Sequence, residues 1–306
     1  AALQKPIKQS ELQQTIIAVL NLGDRSEHNH KPTAAIPLLE NCPPLQILLA
    51  EDNHVNQQVA IRILKKLGHE VQVVENGQFA LDALRTRSFD VVLMDVQMPI
   101  LDGFKATAAI RDKELTTGCH QPIIAITAHA MTRDRERCLN SGMDDYVSKP
   151  LNAVALSEAL VRMVNHYGAG SAVTSDVTGR PPAAPTTSEP LAFDMNAALA
   201  KFDGDRDFLR ELGEIFLNMI PDLLQKLAVA IEEKNIKAVS EVAHSIKGSV
   251  ANFCAEPAYD AAWQLERNAR VGQTEQISAL HQQLVHEIQR VNDSMRREFG
   301  ITVGAR

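Results

Sequence analysis

The chain has 306 residues, 45% of them hydrophobic, which is enough to bury two ordinary cores. A net charge of -7, no Lys/Arg-rich run and 4% aromatic content with a single Trp argue against nucleic acid as the main partner. No apolar run reaches the roughly 18 residues that span a bilayer. Cys42, Cys119, Cys138 and Cys254 form no CxxC pair and no metal-ligand spacing, the pattern of reduced thiols in a cytoplasmic segment, although the parent protein could be anchored elsewhere.

In chain order, the first element is an amphipathic helix. Lys5-Pro6-Ile7 followed by Leu12, Ile16, Ile17, Val19, Leu20 and Asn21 matches Lys149-Pro150-Leu151 followed by Leu156, Leu160, Val161, Met163, Val164 and Asn165 at one constant offset. Residues 1–21 therefore read as the last helix of an earlier copy of the α/β segment that follows, and the chain as part of something longer. Residues 22–44, with four prolines, read as linker.

Over residues 45–167, strand-like apolar runs near 46–50, 70–74, 90–94, 122–127 and 145–148 alternate with helical periodicity near 54–67, 77–88, 102–113, 131–141 and 152–166. That rhythm predicts a parallel five-stranded sheet covered on both faces. Residues 168–190 are Gly, Ser, Thr and Pro with little to bury, a flexible tether. From 191 to 300 only helical periodicity remains, near 196–202, 205–233, 236–253, 256–270 and 274–298, which predicts an antiparallel helical bundle. Pro221 should kink or end the longest of these helices.

Four polar stations end four apolar runs. Glu51 and Asp52 follow Ile47-Leu48-Leu49-Ala50, Asp95 follows Val91-Val92-Leu93-Met94, Thr127 follows Ile123-Ile124-Ala125-Ile126, and Lys149 follows Tyr146-Val147-Ser148. If the runs are parallel strands, all four stations lie at the carboxyl edge where open sheets place ligands. Three carboxylates gathered there repel one another, and a hard divalent cation with open positions, Mg²⁺, resolves the conflict. A metal and the Lys149 ammonium would make Asp95 a usable nucleophile toward phosphorus, with Thr127 as hydroxyl donor and Ala128 leaving room. The Lys149-Pro150 bond is a candidate cis peptide. The scheme requires the Asp95 side chain to be reachable from solvent and the Lys149 amine to face it.

At these residues the segment resembles the receiver domain of two-component signalling: Leu-Ala-Glu51-Asp52-Asn53, Met94-Asp95-Val-Gln-Met98-Pro99 with Asp102-Gly103, Thr127-Ala128, and Tyr146-Val-Ser-Lys149-Pro150. The resemblance implies a flavodoxin-like 2-1-3-4-5 sheet, Asp95 as phosphoacceptor, and Mg²⁺ on Glu51, Asp52, Asp95 and the Gln97 carbonyl. It also implies Thr127 and Tyr146 as a switch pair, with Gln97 and His129 where receivers tune acyl-phosphate hydrolysis.

In the helical segment, about 100° per residue places Val239, Val242, Ala243, Val250 and Phe253 within roughly 60° of Ile246, while His244 falls about 160° away on the outer face. Gly248 is its neighbour one turn on, and Lys247 borders it. An interior helical glycine beside an outward His suggests close approach of a partner. Ala243-His244-Ser-Ile-Lys247-Gly248-Ser-Val-Ala-Asn252-Phe253 resembles the histidine phosphotransfer domain, a four-helix bundle, with Leu265-Glu266 on a later helix. That resemblance implies His244 as phosphocarrier, Lys247 as neutralising cation and Gly248 as the docking point for a receiver.

Together these features predict a phosphorelay segment of a hybrid sensor histidine kinase. An upstream histidine kinase domain would supply Asp95, and His244 would feed a downstream response regulator receiver. No Gly-rich nucleotide pocket and no helix-turn-helix is visible, so neither ATP binding nor DNA output is expected of these residues. A phosphatase with an Asp nucleophile is the alternative enzyme, but Gln97 stands where its second Asp would be. A receiver-like scaffold that is never phosphorylated is the alternative binding module. Whether Asp95 serves His244 of its own chain is open at this stage.

Overall fold

A computed structural model describes residues 43–128, 132–167 and 192–300. The expected helix at 1–21, most of the linker at 22–44, the tether at 168–190, His129 and Cys42 lie outside the described residues.

Five parallel strands form one sheet: β1 (Gln46–Ala50), β2 (Glu70–Val74), β3 (Val91–Asp95), β4 (Ile123–Thr127) and β5 (Asp145–Ser148), in the order β2-β1-β3-β4-β5. This is the flavodoxin-like arrangement expected from the sequence. Helices α1 (His54–Lys66), α2 (Gly77–Thr86), α3 (Gly103–Thr117), α4 (Thr132–Asn140) and α5 (Ala153–Tyr167) follow the strands in turn. Alternate residues of each central strand serve opposite faces. Ile47, Leu49, Leu93, Ile124 and Ile126 pack with Val55, Val59, Ile63, Leu156 and Leu160 of α1 and α5. Leu48, Ala50, Val92, Met94 and Ala125 pack with Ala80, Ala106, Ile110 and Cys138 of α2, α3 and α4. Both faces are covered, so the strands read as continuous apolar runs rather than alternating ones.

One close approach shapes the carboxyl edge of the sheet. A Cβ on Gly103 would stand 2.2 Å from the Asp95 carbonyl oxygen, so only glycine lets α3 begin directly against the end of β3. Asp102 caps that helix by accepting from the Lys105 N–H. The Lys149-Pro150 peptide is cis.

The second part is helical: short α6 (Met195–Lys201), then α7 (Arg206–Glu232), α8 (Ile236–Ala251), α9 (Glu256–Arg270) and α10 (Ile277–Phe299). The last four are joined by short turns, α7 packs on α8, α8 on α9, α9 on α10, and α10 closes back on α7. Each helix gives the centre an apolar stripe, including Phe216 and Ile220, Val239 and Ile246, Ala262 and Leu265, and Leu284 and Ile288. Of the kink or end expected at Pro221, the end does not occur: α7 runs from Arg206 to Glu232 with Pro221 inside it. Pro221 costs one backbone hydrogen bond, and burial of Leu217, Ile220 and Leu227 on either side outweighs it.

The sheet and the bundle belong to one compact unit. The apolar cluster on the α1 and α5 side of the sheet is continuous with the core of the bundle.

Candidate functional site

Strand register brings the predicted stations together. Glu51 and Asp52 follow β1, Asp95 ends β3, Thr127 ends β4 and Lys149 follows β5, all at one edge. The Lys149 ammonium lies 2.7 Å from Asp95 Oδ2 and donates to Glu51 Oε1 at 3.0 Å, so it faces the aspartate as required. The Gln97 N–H donates to Asp95 Oδ1 at 3.2 Å. Thr127 is buried, and Tyr146 is half-buried with the Arg135 guanidinium 5.7 Å from its ring centre.

Ligand oxygens of Glu51, Asp52 and Asp95 all lie within 4.8 Å of one another. Three carboxylates therefore face one ammonium. Burial, reinforced by Glu51, pushes Asp52 up to about 7. Burial also raises Asp95 well above the usual carboxylate range, although Lys149 opposes it. For Lys149, burial opposes the charge, but Asp95 and Glu51 outweigh it and raise its pKa. Glu51 Oε2, although 2.7 Å from Lys149, receives no aligned hydrogen bond. Surplus negative charge and hard oxygen donors gathered within one pocket suit a small divalent cation.

Asp95 departs from the expectation of solvent access: its side chain is only 2% exposed. Its surroundings come from both parts of the chain. A cavity of about 40 Å³ beside Asp95 is lined by Gln97, Phe104, Thr127, Ala128 and Arg137 of the α/β part and by Arg270 from the end of α9. The covering surface is part of the candidate machinery rather than inert wall.

His244 departs in the same direction. It was expected on an outer face, and it does lie off the apolar stripe, but the residue is only 7% exposed. Two neighbours cover that face. On one side α9 brings Glu266, whose Oε1 lies 3.0 Å from His244 Nδ1 and which also pairs with Lys247 and Arg270. On the other side lies α1. Asn53 caps α1 with Oδ1 and donates from Nδ2 to the Ser245 carbonyl at 3.0 Å and to the Ser245 and Ser249 hydroxyls at 2.9 and 2.8 Å. Asn252 Nδ2 donates to Asn56 Oδ1 at 2.9 Å, and Asn56 Nδ2 donates to Glu51 Oε1 at 2.9 Å. A Cβ on Gly248 would stand 3.1 Å from Asn56 Nδ2.

Burial lowers His244 to about 4 against the pull of Glu266, so its imidazole is neutral at neutral pH. Burial disfavours the charge on Glu266, but the hydrogen bond from His244 and the Lys247 ammonium bring it down to about 2. An ionised carboxylate only accepts, so Nδ1 carries the imidazole proton and Nε2 keeps a free lone pair. Burial lowers the Lys247 pKa, with Glu266 opposing.

Sequence reasoning missed Glu266, Arg270, Asn56 and the Ser245/Ser249 pair as site residues. Glu266 had a signal: it sits four residues after Ala262 and beside Leu265 on a buried stripe, where a charge implies a partner. Arg270 had none, because its place depends on how two domains meet.

Comparison with known proteins gives two family matches: the response regulator receiver domain over residues 47–161 and the Hpt domain over residues 211–294. Hybrid signal transduction histidine kinase I of Dictyostelium discoideum is 44% identical over 129 residues, 40% of this chain and 7% of that protein. Sensor protein GacS of Pseudomonas syringae pv. syringae is 32% identical over 230 residues, 74% of this chain and 24% of that protein. The chain thus spans about a quarter or less of the length of these relatives. Among solved structures, the receiver domain of sensor histidine kinase PA1611 from Pseudomonas aeruginosa PAO1, with magnesium coordinated in its active site cleft, is 43% identical. That match covers 40% of this chain and 98% of the other at a TM-score of 0.37.

Proposed function

This chain is a response regulator receiver domain joined to a histidine phosphotransfer domain, as in hybrid sensor histidine kinases, and from that premise we propose a route for its phosphoryl group. Asp95 takes the group from an upstream histidine kinase domain in the cytoplasm and passes it to His244 of the same chain, which delivers it to a separate receiver. The observation that carries the same-chain step is the contact of Asn53 and Asn56 with the α8 face that bears His244.

The chemistry follows from the groups present. Glu51, Asp52, Asp95 and the Gln97 carbonyl are the residues that would hold Mg²⁺, which when bound supplies charge neutralisation for the incoming phosphoryl oxygens. Lys149 holds Asp95 from the other side, and Thr127 and Ala128 line the space at the carboxylate. In the onward step the Nε2 lone pair of neutral His244 forms the P–N bond as the acyl P–O bond breaks and Asp95 leaves as a carboxylate. The resulting imidazolium keeps its Nδ1 proton against Glu266, which stabilises the charge that develops there. Arg270 lines the cavity at Asp95 and supplies a second positive charge toward the group in transit. Thr127 and Tyr146 are the pair we assign to sensing the phosphoryl group, and Gly248 to admitting the docked receiver.

Acetyl phosphate with Mg²⁺ tests the assignment. Label is expected on Asp95 and on His244, none on the Asp95→Asn chain, and on Asp95 alone in the His244→Gln chain. Phosphohistidine in the Asp95→Asn chain alone would overturn the route.

A further inference from the structure

At the rim of the contact between the two domains, two basic side chains of α1 meet two acids at the start of α7. Arg62 pairs with Asp205 and Lys66 with Asp203, and the Arg62 guanidinium also lies 5.3 Å from the Phe208 ring centre. Arg62 and Lys66 are one turn apart on one face of α1, the same helix whose first turn carries Asn53 and Asn56 against α8. α9 closes one side of His244 through Glu266, and the chain's own receiver meets the same helix over Ser245, Gly248, Ser249 and Asn252. A receiver docked there lays its first helix across the start of α7. We infer that Asp203 and Asp205 form an address on the phosphotransfer domain, read by a basic pair one turn apart on the first helix of an incoming receiver. The chain's own receiver reads it with Arg62 and Lys66, and the downstream receiver reads it with a like pair. This rests on the relay reading above and names its partner's chemistry.

Two consequences follow. The four charged side chains remain 31% to 73% exposed, so their contribution to the docked state is modest and falls with salt. Because one address serves both receivers, the chain's own receiver shields His244 from the downstream one until it leaves.

The test mixes two full-length chains, a His244→Gln donor labelled on Asp95 with acetyl phosphate and an Asp95→Asn acceptor, and follows phosphohistidine on the acceptor. Arg62→Glu with Lys66→Glu placed in the acceptor weakens its self-docking and leaves its address intact, so its labelling is expected to speed up by about fivefold at low salt and lose that gain near 0.5 M salt, where the screening length is only several ångströms. Adding Asp203→Lys to the same acceptor remakes an attractive pair within that chain and repels the donor, so the gain should vanish. Asp203 is the chosen site because Asp205 caps α7, and because its positive φ of 54° is one that Lys234 also adopts here. No acceleration in the first acceptor, or acceleration that survives Asp203→Lys, overturns the address. The scattering radius of the unphosphorylated chain gives a readout without phosphoryl transfer, and it should rise with Arg62→Glu and Lys66→Glu and fall back with Asp203→Lys. An unlabelled donor would instead count against the relay reading, and the address would then be decided by scattering alone.

Discussion

Glu266 concentrates more of the account than any other single residue outside the phosphoryl-bearing pair. It orients His244, neutralises Lys247 and holds Arg270. Glu266→Gln keeps an acceptor for Nδ1 but removes the charge, and a hydrogen bond to a charged group is worth about 1.5–3 kcal/mol, so transfer to His244 should slow by roughly tenfold to a hundredfold. Thermal unfolding should fall as well, because Lys247 is 2% exposed and breaking a buried pair costs about 3–5 kcal/mol. Unchanged transfer in a folded Glu266→Gln chain would remove Glu266 from the mechanism. The pH behaviour has a definite sign. His244 is held to about 4 in the folded chain against an ordinary 6.5, so protons bind preferentially to the unfolded state between those values. That contribution to stability is complete above about pH 6.5 and drains away as pH falls toward 4; His244→Gln should abolish this part of the pH dependence in melts. At the acidic pocket, Asp52 raised to about 7 means that Mg²⁺ competes with a proton. Calorimetric Mg²⁺ affinity should therefore rise as pH climbs through 7, whereas a pH-independent affinity would deny these carboxylates a role as ligands.

At the scale of elements, two glycines separate docking from folding. Gly248→Ala places a methyl 3.1 Å from Asn56, which is pinned by Glu51 and Asn252 and cannot swing aside without losing both bonds. Alanine is also the better helix former by about 1 kcal/mol, so the bundle should melt no lower while Asp95-to-His244 transfer drops. Gly103→Ala is the harsher change: its methyl would sit 2.2 Å from a backbone oxygen at the Asp95 strand end, so a loss of both stability and Asp95 labelling is expected. The elements themselves were legible in the sequence. Buried runs such as Ile47–Ala50 and Val91–Met94 have few alternatives to parallel strands; the caps Asn53, Asn76 and Asp102, which the sequence reading did not single out, fix where the helices after them begin. Pro221 does not end its helix because its local penalty is small beside the burial of a 27-residue helix.

For the whole molecule, the four stations and the outward azimuth of His244 could be read from periodicity, since strand ends and helical angles are local properties. The burial of Asp95 and His244 could not. It arises from one domain covering the other, through Asn53, Asn56 and Arg270, and no period within either domain encodes that contact. The same contact is the ground on which same-chain transfer is proposed. Single-turnover phosphohistidine formation, begun from chains labelled on Asp95 and followed across a hundredfold dilution, tests this most directly. A rate constant independent of protein concentration is the expected result; a rate constant that falls in proportion to dilution would contradict same-chain transfer and leave the docked arrangement without its function.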